Sequence, residues 1–493
     1  MKLRRFILLA MISAVFAGTL CRAQALNAAP ASPPSPARAD AAPPAASAAA
    51  SAGAAAHNRK GLPEAPAPAQ QAAAPAQQAA AQAQAPSSPQ SLTLVEAEKI
   101  ALQNHPQIQI AEHRAAFASA QFQQAQSAYS PQVNGSLTGV VAENDSRITA
   151  GGLNNPIIYD RFSAGAFVSQ YVTDFGRTQA VVRSFNEHAR AQQAGVFATR
   201  ADVLLQLHES YFAALKSKAL LTVAQETVRD RQLVADQVGV MAQNKLKSGL
   251  DVAFASVDLS QAQLLLIQTQ NDLQASYAQL SSALGYREPR DFDLAEPAAM
   301  PAPPMDFLQV LQEAFSNRPE LAGQRLEVNS AKSYAIAERD LWFPSMSAAG
   351  GAGVAPSRAS QLDARYAAVG FNVNIPVFNG HLFGSLRTQA NEEFRAQQQV
   401  LRDLEDRVAR DVRTAWLNAN SSYQRLAVTE QLLNEAKLAE DLAASRYRMG
   451  LSSIVELTQA QLNLTQAQIA EASAKYDYQT AFSQLLYQQG DLK

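Results

Sequence analysis

From residue 91 onward the chain alternates between long stretches of helical character and four short stretches whose apolar positions recur every second residue. In the clearest of these, Ala367, Val369, Phe371, Val373 and Ile375 alternate with Ala368, Gly370, Asn372 and Asn374, so one face is apolar and the other small or polar. Earlier in the chain, Phe162, Ala164, Ala166 and Val168 alternate with Ser163, Gly165 and Ser169. This is the period of a strand with one greasy face. The partner segments Gln132 to Val140 and Ser345 to Val354 are rich in Gly, Ala and Ser and predict strands less sharply. Strands of about ten residues suit a tilted outer-membrane barrel; a half-buried hairpin in a soluble domain shows the same alternation. Four strands cannot close a barrel, so the membrane reading requires several chains to share one.

The helical stretches are long. Arg177 to about Asn244 contains no proline and two glycines, Gly195 and Gly239, and predicts a helix on the order of 100 Å. In the next stretch Val252, Leu259, Leu266, Leu273 and Leu280 fall seven apart, each followed after three residues by Ala255, Ala262, Thr269, Ser276 or Ala283. The corresponding small seam near the C-terminus is Ala460, Ala467, Ala474 and Ala481. A sustained seven-residue repeat implies a left-handed supercoil, and small residues along its seam let helices approach closely. The opposite faces are rich in Gln, Asn, Ser and Thr, as suits helices with water on one side.

These patterns occur twice. Ala101, Asn104, Pro106, Tyr129 and Pro131 match Ala314, Asn317, Pro319, Trp342 and Pro344 at a spacing of 213. Asp174-Phe175-Gly176 aligns with Phe378-Asn379-Gly380 at 204, and Tyr211, Asp272, Leu280 and Gly285 match Trp416, Asp477, Leu485 and Gly490 at 205. Two similar units follow: a first repeat over 91–285, a linker over 286–304 and a second repeat over 305–490. Each opens with a helical stretch, Leu92 to Ala128 or Met305 to Leu341, which stops just before a proline. Two strands, a very long helix, a turn and a last helix come next. The expected fold is mainly α with a small β portion.

Composition adds the surroundings. Met1 to Ala25 has a basic start, an apolar run over Phe6 to Leu20 and an Ala23-Gln24-Ala25 cleavage site, and reads as a secretory signal. Cys21, the single cysteine, invites lipidation, but Leu20 stands where that processing wants a small residue; cleavage after Ala25 is the preferred reading. Residues 26–90 are Ala, Pro, Gln and Ser with few large apolar side chains, a leader that cannot offset its own ordering entropy. One cysteine excludes a disulfide framework and a Cys-rich zinc site, and a net charge of −2 argues against a nucleic-acid binder. No catalytic, cofactor-binding or metal-ligating set is found: the six histidines lack an i,i+4 pair, and neither a G-x-S-x-G nor a phosphate loop occurs.

The duplicated helix–strand–strand–helix–helix plan carries a resemblance, together with the Asn104-His105-Pro106 and Asn317-Arg318-Pro319 openings. The Val377-Phe378-Asn379-Gly380 strand exit and the run Arg446-Tyr447-Arg448-Met449-Gly450-Leu451 complete it. Over residues 91–490 the chain resembles the TolC family of outer-membrane efflux proteins. The resemblance implies a homotrimer whose chains give four strands each to one twelve-stranded transmembrane β-barrel, with the helices forming a hollow α-barrel through the periplasm. It also implies a passive exit duct for tripartite efflux or type I secretion, joined by a periplasmic adaptor to an inner-membrane pump. A periplasmic coiled-coil adaptor or scaffold is the alternative; it would normally show one hairpin between β-domain halves, where this chain shows two hairpins and greasy strands.

In such proteins the hairpin tips dock the adaptor and close the channel. The tip residues here are Ser248, Gly249 and Leu250 in the first repeat and Gly450, Leu451 and Ser452 in the second. Each glycine is expected to form a tight left-handed turn. Gly249 lies four positions later in its copy than Gly450, so the first tip is expected to be displaced by about one helical turn. The resemblance places Glu456 in an acidic ring at the constriction and Gln459 where a second acid often stands. It also implies a bond from Asp251 to Tyr447 that holds the tube shut. Ser452 replaces a basic residue, which removes one gating ion pair. Glu456 reads equally well as a solvated helix charge near a positive helix end.

Overall fold

A computed structural model describes residues 91–141, 161–356 and 363–492. The signal and leader expected at residues 1–25 and 26–90 lie outside them. In chain order the elements are α1 (Leu94–Asn104), α2 (Pro106–Gln126), β1 (Gln132–Val140), β2 (Arg161–Thr173), α3 (Arg177–Gln243) and α4 (Gly249–Ala283). The same series follows as α5 (Phe307–Asn317), α6 (Pro319–Arg339), β3 (Ser345–Val354), β4 (Arg365–Asn374), α7 (Leu382–Arg448) and α8 (Ile454–Gln489).

Each opening stretch, expected as one helix, is two. The ring of Pro106 disfavours helical backbone at His105, which sits at φ −71°, ψ 123°, and Pro319 does the same to Arg318 at φ −67°, ψ 121°. Proline then starts the next helix, where its missing N–H costs nothing. The break receives the end of the repeat's last helix. Gly285 (φ +82°) lies so close that a Cβ would stand 2.9 Å from the Asn104 carbonyl oxygen. Gly490 (φ +81°) meets Asn317 in the same way, a Cβ there lying 2.9 Å from its carbonyl carbon. The two Asn-x-Pro motifs are therefore seats for the two closing glycines.

The strand exits correct the expected alignment by one residue. Phe175 (φ 55°) and Gly176 (φ 118°) form a pair of left-handed residues ahead of α3, and Gly380 (φ 59°) with His381 (φ 69°) forms the pair ahead of α7. The offset is thus 205 from the exit onward, which sets Asp174 opposite Asn379. Asp174 caps α3 by accepting the Thr178 amide at 2.6 Å.

The four strands form one antiparallel sheet in the order β1-β2-β3-β4. Register brings their apolar rows onto a common face. Leu137 pairs with Ala164, Val133 with Val168, Val168 with Gly350 and Gly350 with Val369, while Phe371 and Val373 share that side of β4. Asn134, Ser136, Thr138, Ser163, Ser169, Ser347 and Asn372 fall on the other side. Leu137 (77 % exposed), Val369 and Phe371 are all open to the surroundings. The outer edges of β1 and β4 pair with no strand among the described residues.

In the helical portion the small seams are buried: Ala255, Ala262, Thr269, Ser276 and Ala283 on α4, and Ala460, Ala467, Ala474 and Ala481 on α8. Val252, Leu259 and Leu266 of the leucine row are only half-buried, and Leu250, Val257, Leu264 and Ile267 of α4 are exposed. Close helix approach leaves little room for large side chains between partners, so these turn outward. The largest core gathers Leu207, Tyr211, Phe212, Leu280 and Leu284 under α1. A second gathers Val310, Leu321, Val408, Val412 and Leu485 under α5. Between them runs the linker, tied by aromatic donors. Tyr211 donates to the carbonyls of Leu92 (2.8 Å) and Ala295 (2.6 Å), Tyr476 to Glu296 (2.8 Å), and Trp416 to the Pro304 carbonyl (2.8 Å).

Two polar pairs stitch α3 to α6: the hydroxyls of Ser184 and Ser330 (3.0 Å), and His188 Nδ1 with the carboxylate of Glu327 (2.8 Å). The hydrogen bond to Glu327 raises the His188 pKa above its ordinary 6.5. A raised value in the folded chain means that the stitch contributes fully below about pH 6.5 and is lost as pH rises through the raised value. Thermal unfolding in detergent should therefore show a decline in stability as pH rises above about 6.5 that His188→Gln flattens. The Gly490→Ala variant should lose about 2–4 kcal/mol, from the left-handed backbone and the approach to Asn317 together. Ala substitution at Gly249, where a Cβ meets nothing within 4 Å, should cost no more than a few tenths in the same unfolding assay.

Candidate functional site: the hairpin tips

Both long helices end in the same hydrogen-bonded turn. After α3, Leu246 donates its amide to the Met241 carbonyl and Lys245 to that of Ala242, both at 2.9 Å. After α7, Leu451 donates to Arg446 (2.8 Å) and Gly450 to Tyr447 (3.0 Å). This is the double bond pattern that closes a helix through a left-handed residue. That residue is Gly450 (φ 72°) in one tip and Lys245 (φ 62°) in the other. The offset between them is again 205, so the first tip is not displaced by a turn. Gly249 is not the turn glycine but the first residue of α4. A lysine in the left-handed region costs roughly 1–2 kcal/mol that glycine avoids.

The return helices also start alike, and then diverge. Ser248 Oγ accepts the Asp251 amide (3.2 Å), and Ser453 Oγ accepts that of Glu456 (3.4 Å). Asp251 turns back onto the cap, accepting from the Ser248 amide (2.9 Å) and hydroxyl (2.8 Å). Those bonds, the backbone one foremost, hold its carboxyl below the usual range. Glu456 instead reaches across the turn to Arg446, 3.4 Å away.

The expected Asp251–Tyr447 bond is not made. Asp251 is engaged by its own cap, and the Tyr447 hydroxyl is buried without a hydrogen-bond partner. Burial pushes the phenol pKa up, and the nearby Asp251 charge adds to this. Lys247 meets Tyr447 instead, its Nζ standing 4.0 Å from the ring centroid. Around this contact the two tips share an apolar cluster of Val238, Ala255, Tyr447, Ile454 and Leu457. The tips are thus held together by packing and a cation over an aromatic face.

Glu456, Gln459 and Arg446 line an open cleft between α7 and α8. Gln459 donates to Asn463 (3.0 Å) and adds no charge. Ser452 has a buried hydroxyl without a partner. Leu246, Leu250, Met449 and Leu451 each stand about two-thirds exposed at the turns. Arg446 and Lys247 escaped the sequence reading because each acts across a turn, at a separation no helical period reports. Arg446 alone carried a signal, its adjacency in sequence to Tyr447; at the 205 offset Lys247 matches Ser452, five residues further on. No group of three or more His, Cys, Asp or Glu that could hold a metal occurs among the described residues. The arrangement offers charge, apolar surface and a cation–aromatic contact between the tips.

Comparison with known proteins agrees with this geometry. The chain is 24% identical to the outer membrane efflux protein BepC of Brucella suis, over 73% of this chain and 77% of the relative. It is 23% identical to the outer membrane protein TolC of Escherichia coli, over 66% of this chain and 68% of the relative. The solved CmeC outer membrane channel of Campylobacter jejuni shares the fold with a TM-score of 0.71 at 16% identity, covering 81% of this chain and 85% of that one. A family profile described as outer membrane efflux protein matches residues 99–286 and 310–488, both repeats almost entirely, and the chain belongs to that family.

Proposed function

We propose that three copies of this chain assemble into one passive duct, which leads from the periplasm through the outer membrane and is closed at the hairpin tips. The observation that carries this is the sheet: one apolar face, one mostly polar face that also carries Phe167 and Tyr366, and two edges unpaired among the described residues. Unpaired backbone groups cannot remain in lipid, so β4 of one copy pairs with β1 of the next until the ring closes. Four strands per chain give twelve for three chains, with the apolar face to lipid and the polar face to the lumen. The exposed apolar residues of α4 then meet a neighbouring copy, which continues the ring below the membrane.

The tips supply the gate. Glu456 and Gln459 of the three copies face one another in the closed mouth, with Arg446 offsetting the Glu456 charge. A periplasmic adaptor docks at Ser248, Gly249, Leu250, Gly450, Leu451 and Ser452 and parts the Lys247–Tyr447 contact, while an inner-membrane pump provides the energy. A soluble periplasmic scaffold would leave the apolar sheet face without a partner, and membership of the efflux family speaks against it.

The face assignment is tested by paired substitutions followed by membrane fractionation and native mass measurement in mild detergent. Arg at Val369, on the apolar face, should cost about 2–4 kcal/mol and abolish insertion, whereas Arg at Asn372, on the polar face, should leave trimers in the outer membrane. The reverse pattern, or monomers from the unaltered chain, would reject the duct. In planar bilayers, Arg446→Gln should uncover Glu456 and raise cation over anion preference roughly two- to fivefold, while Glu456→Gln should lower it. Unchanged selectivity in both variants would remove these residues from the pore.

A further inference from the structure

The tips carry a charge opposite to that of the chain as a whole. The two turns hold four cations, Lys245, Lys247, Arg446 and Arg448, against two carboxylates, Asp251 and Glu456, in a chain of net charge −2. Both carboxylates are engaged, Asp251 by the Ser248 cap and Glu456 by Arg446. Lys247 lies over Tyr447. Arg448 bonds only to the Ala444 carbonyl and the Ser445 hydroxyl, and neither it nor Lys245 has a carboxylate partner among the described residues. The next carboxylates along the helices, Asp236, Asp258 and Asp441, stand about two turns away or more. Among the described residues of one chain, each tip therefore ends in a cation without a carboxylate partner.

Lys245 occupies a position where the fold itself asks for glycine. The equivalent residue of the other tip is Gly450, in the same bonds and the same backbone region. A strained non-glycine residue at a surface turn is an observation that points to function, because stability alone favours its replacement. Beside these cations lie the exposed Leu246, Leu250, Met449 and Leu451. An apolar centre with a charged rim is the anatomy of a protein interface, in which rim charges select the partner and speed its arrival.

We propose that the tips dock a periplasmic protein that presents an apolar ridge flanked by carboxylates, with Lys245 and Arg448 reading those carboxylates. The proposal rests on the reading of the tips as a docking surface and adds the sign of the partner's charge. A protein fits better than a lipid surface. A helix of about 100 Å separates the turns from the membrane-entering sheet.

The test uses the full chain in its own cell envelope, with a photoreactive amino acid placed at Leu246 or Leu451 and the attached peptide sequenced. The expected adduct is a segment with an excess of Asp and Glu beside apolar residues. Its yield should fall roughly fivefold or more in Lys245→Glu and Arg448→Glu, and should recover when an acidic residue of the attached segment is changed to Lys. Lys245→Gly should reduce the yield while raising the midpoint of thermal unfolding, a separation that a merely structural lysine would not produce. A neutral or basic segment, or a yield indifferent to charge reversal, would overturn the proposal and leave the docking reading standing. Adducts on phospholipid would overturn it in favour of a membrane surface. Adducts found only from positions away from the tips would overturn the docking reading as well.

Discussion

A backbone N–H or C=O group in hydrocarbon must find a partner within the protein, and the four-stranded sheet of this chain leaves two whole rows of them without one. The remainder of the architecture follows from that constraint. A sheet with an apolar face of Val133, Leu137, Val168, Val369 and Phe371 is left open among the described residues. In the proposed assembly, edges and face are satisfied together as copies join side by side in lipid. The helices beneath inherit that arrangement, since each must then lie beside a neighbour on both sides. Their buried seams of Ala, Ser and Thr permit this within a chain, and the apolar residues displaced to the outer face of α4 extend it between chains.

Much of this was legible in the amino-acid order because the relevant signals are periodic. A period of two in Ala367 to Ile375 identifies the greasy face of β4, and the bounds of β1 and β3 coincide with the Gly/Ala/Ser-rich partner segments. The seven-residue spacing from Ala255 to Ala283 marks the buried seam of α4. Departures occurred where a single residue, and not a repeat, decides the backbone. Pro106 and Pro319 divide helices that their flanking patterns would have continued, because the proline ring acts on the preceding residue whatever the apolar spacing.

The tips were the least legible part, for a related reason. Glycine is a strong hint of left-handed backbone, but lysine can occupy it at modest cost, and Gly249 drew attention away from Lys245. Holding the 205 offset constant through the turn would have found the correct residue, since α3 and the start of α4 match α7 and the start of α8 at that spacing. Likewise Asp251 and Glu456 occupy equivalent positions and differ by one methylene. The shorter side chain folds back onto its cap, and the longer one extends to Arg446. Duplication preserved the backbone while the two carboxylates took up different work.

The helices α3 and α7 each contain 67 residues. Adding one residue to either would lower its turn by about 1.5 Å and swing it through about 100° relative to the other. Lys247 would then lose Tyr447, and the shared apolar cluster would be sheared apart. Lineages that lengthen this tube must therefore insert in both halves at once, in steps that restore the seven-residue phase. The depth to which the duct reaches can change only in quanta, kept in step by the chain's own internal copy.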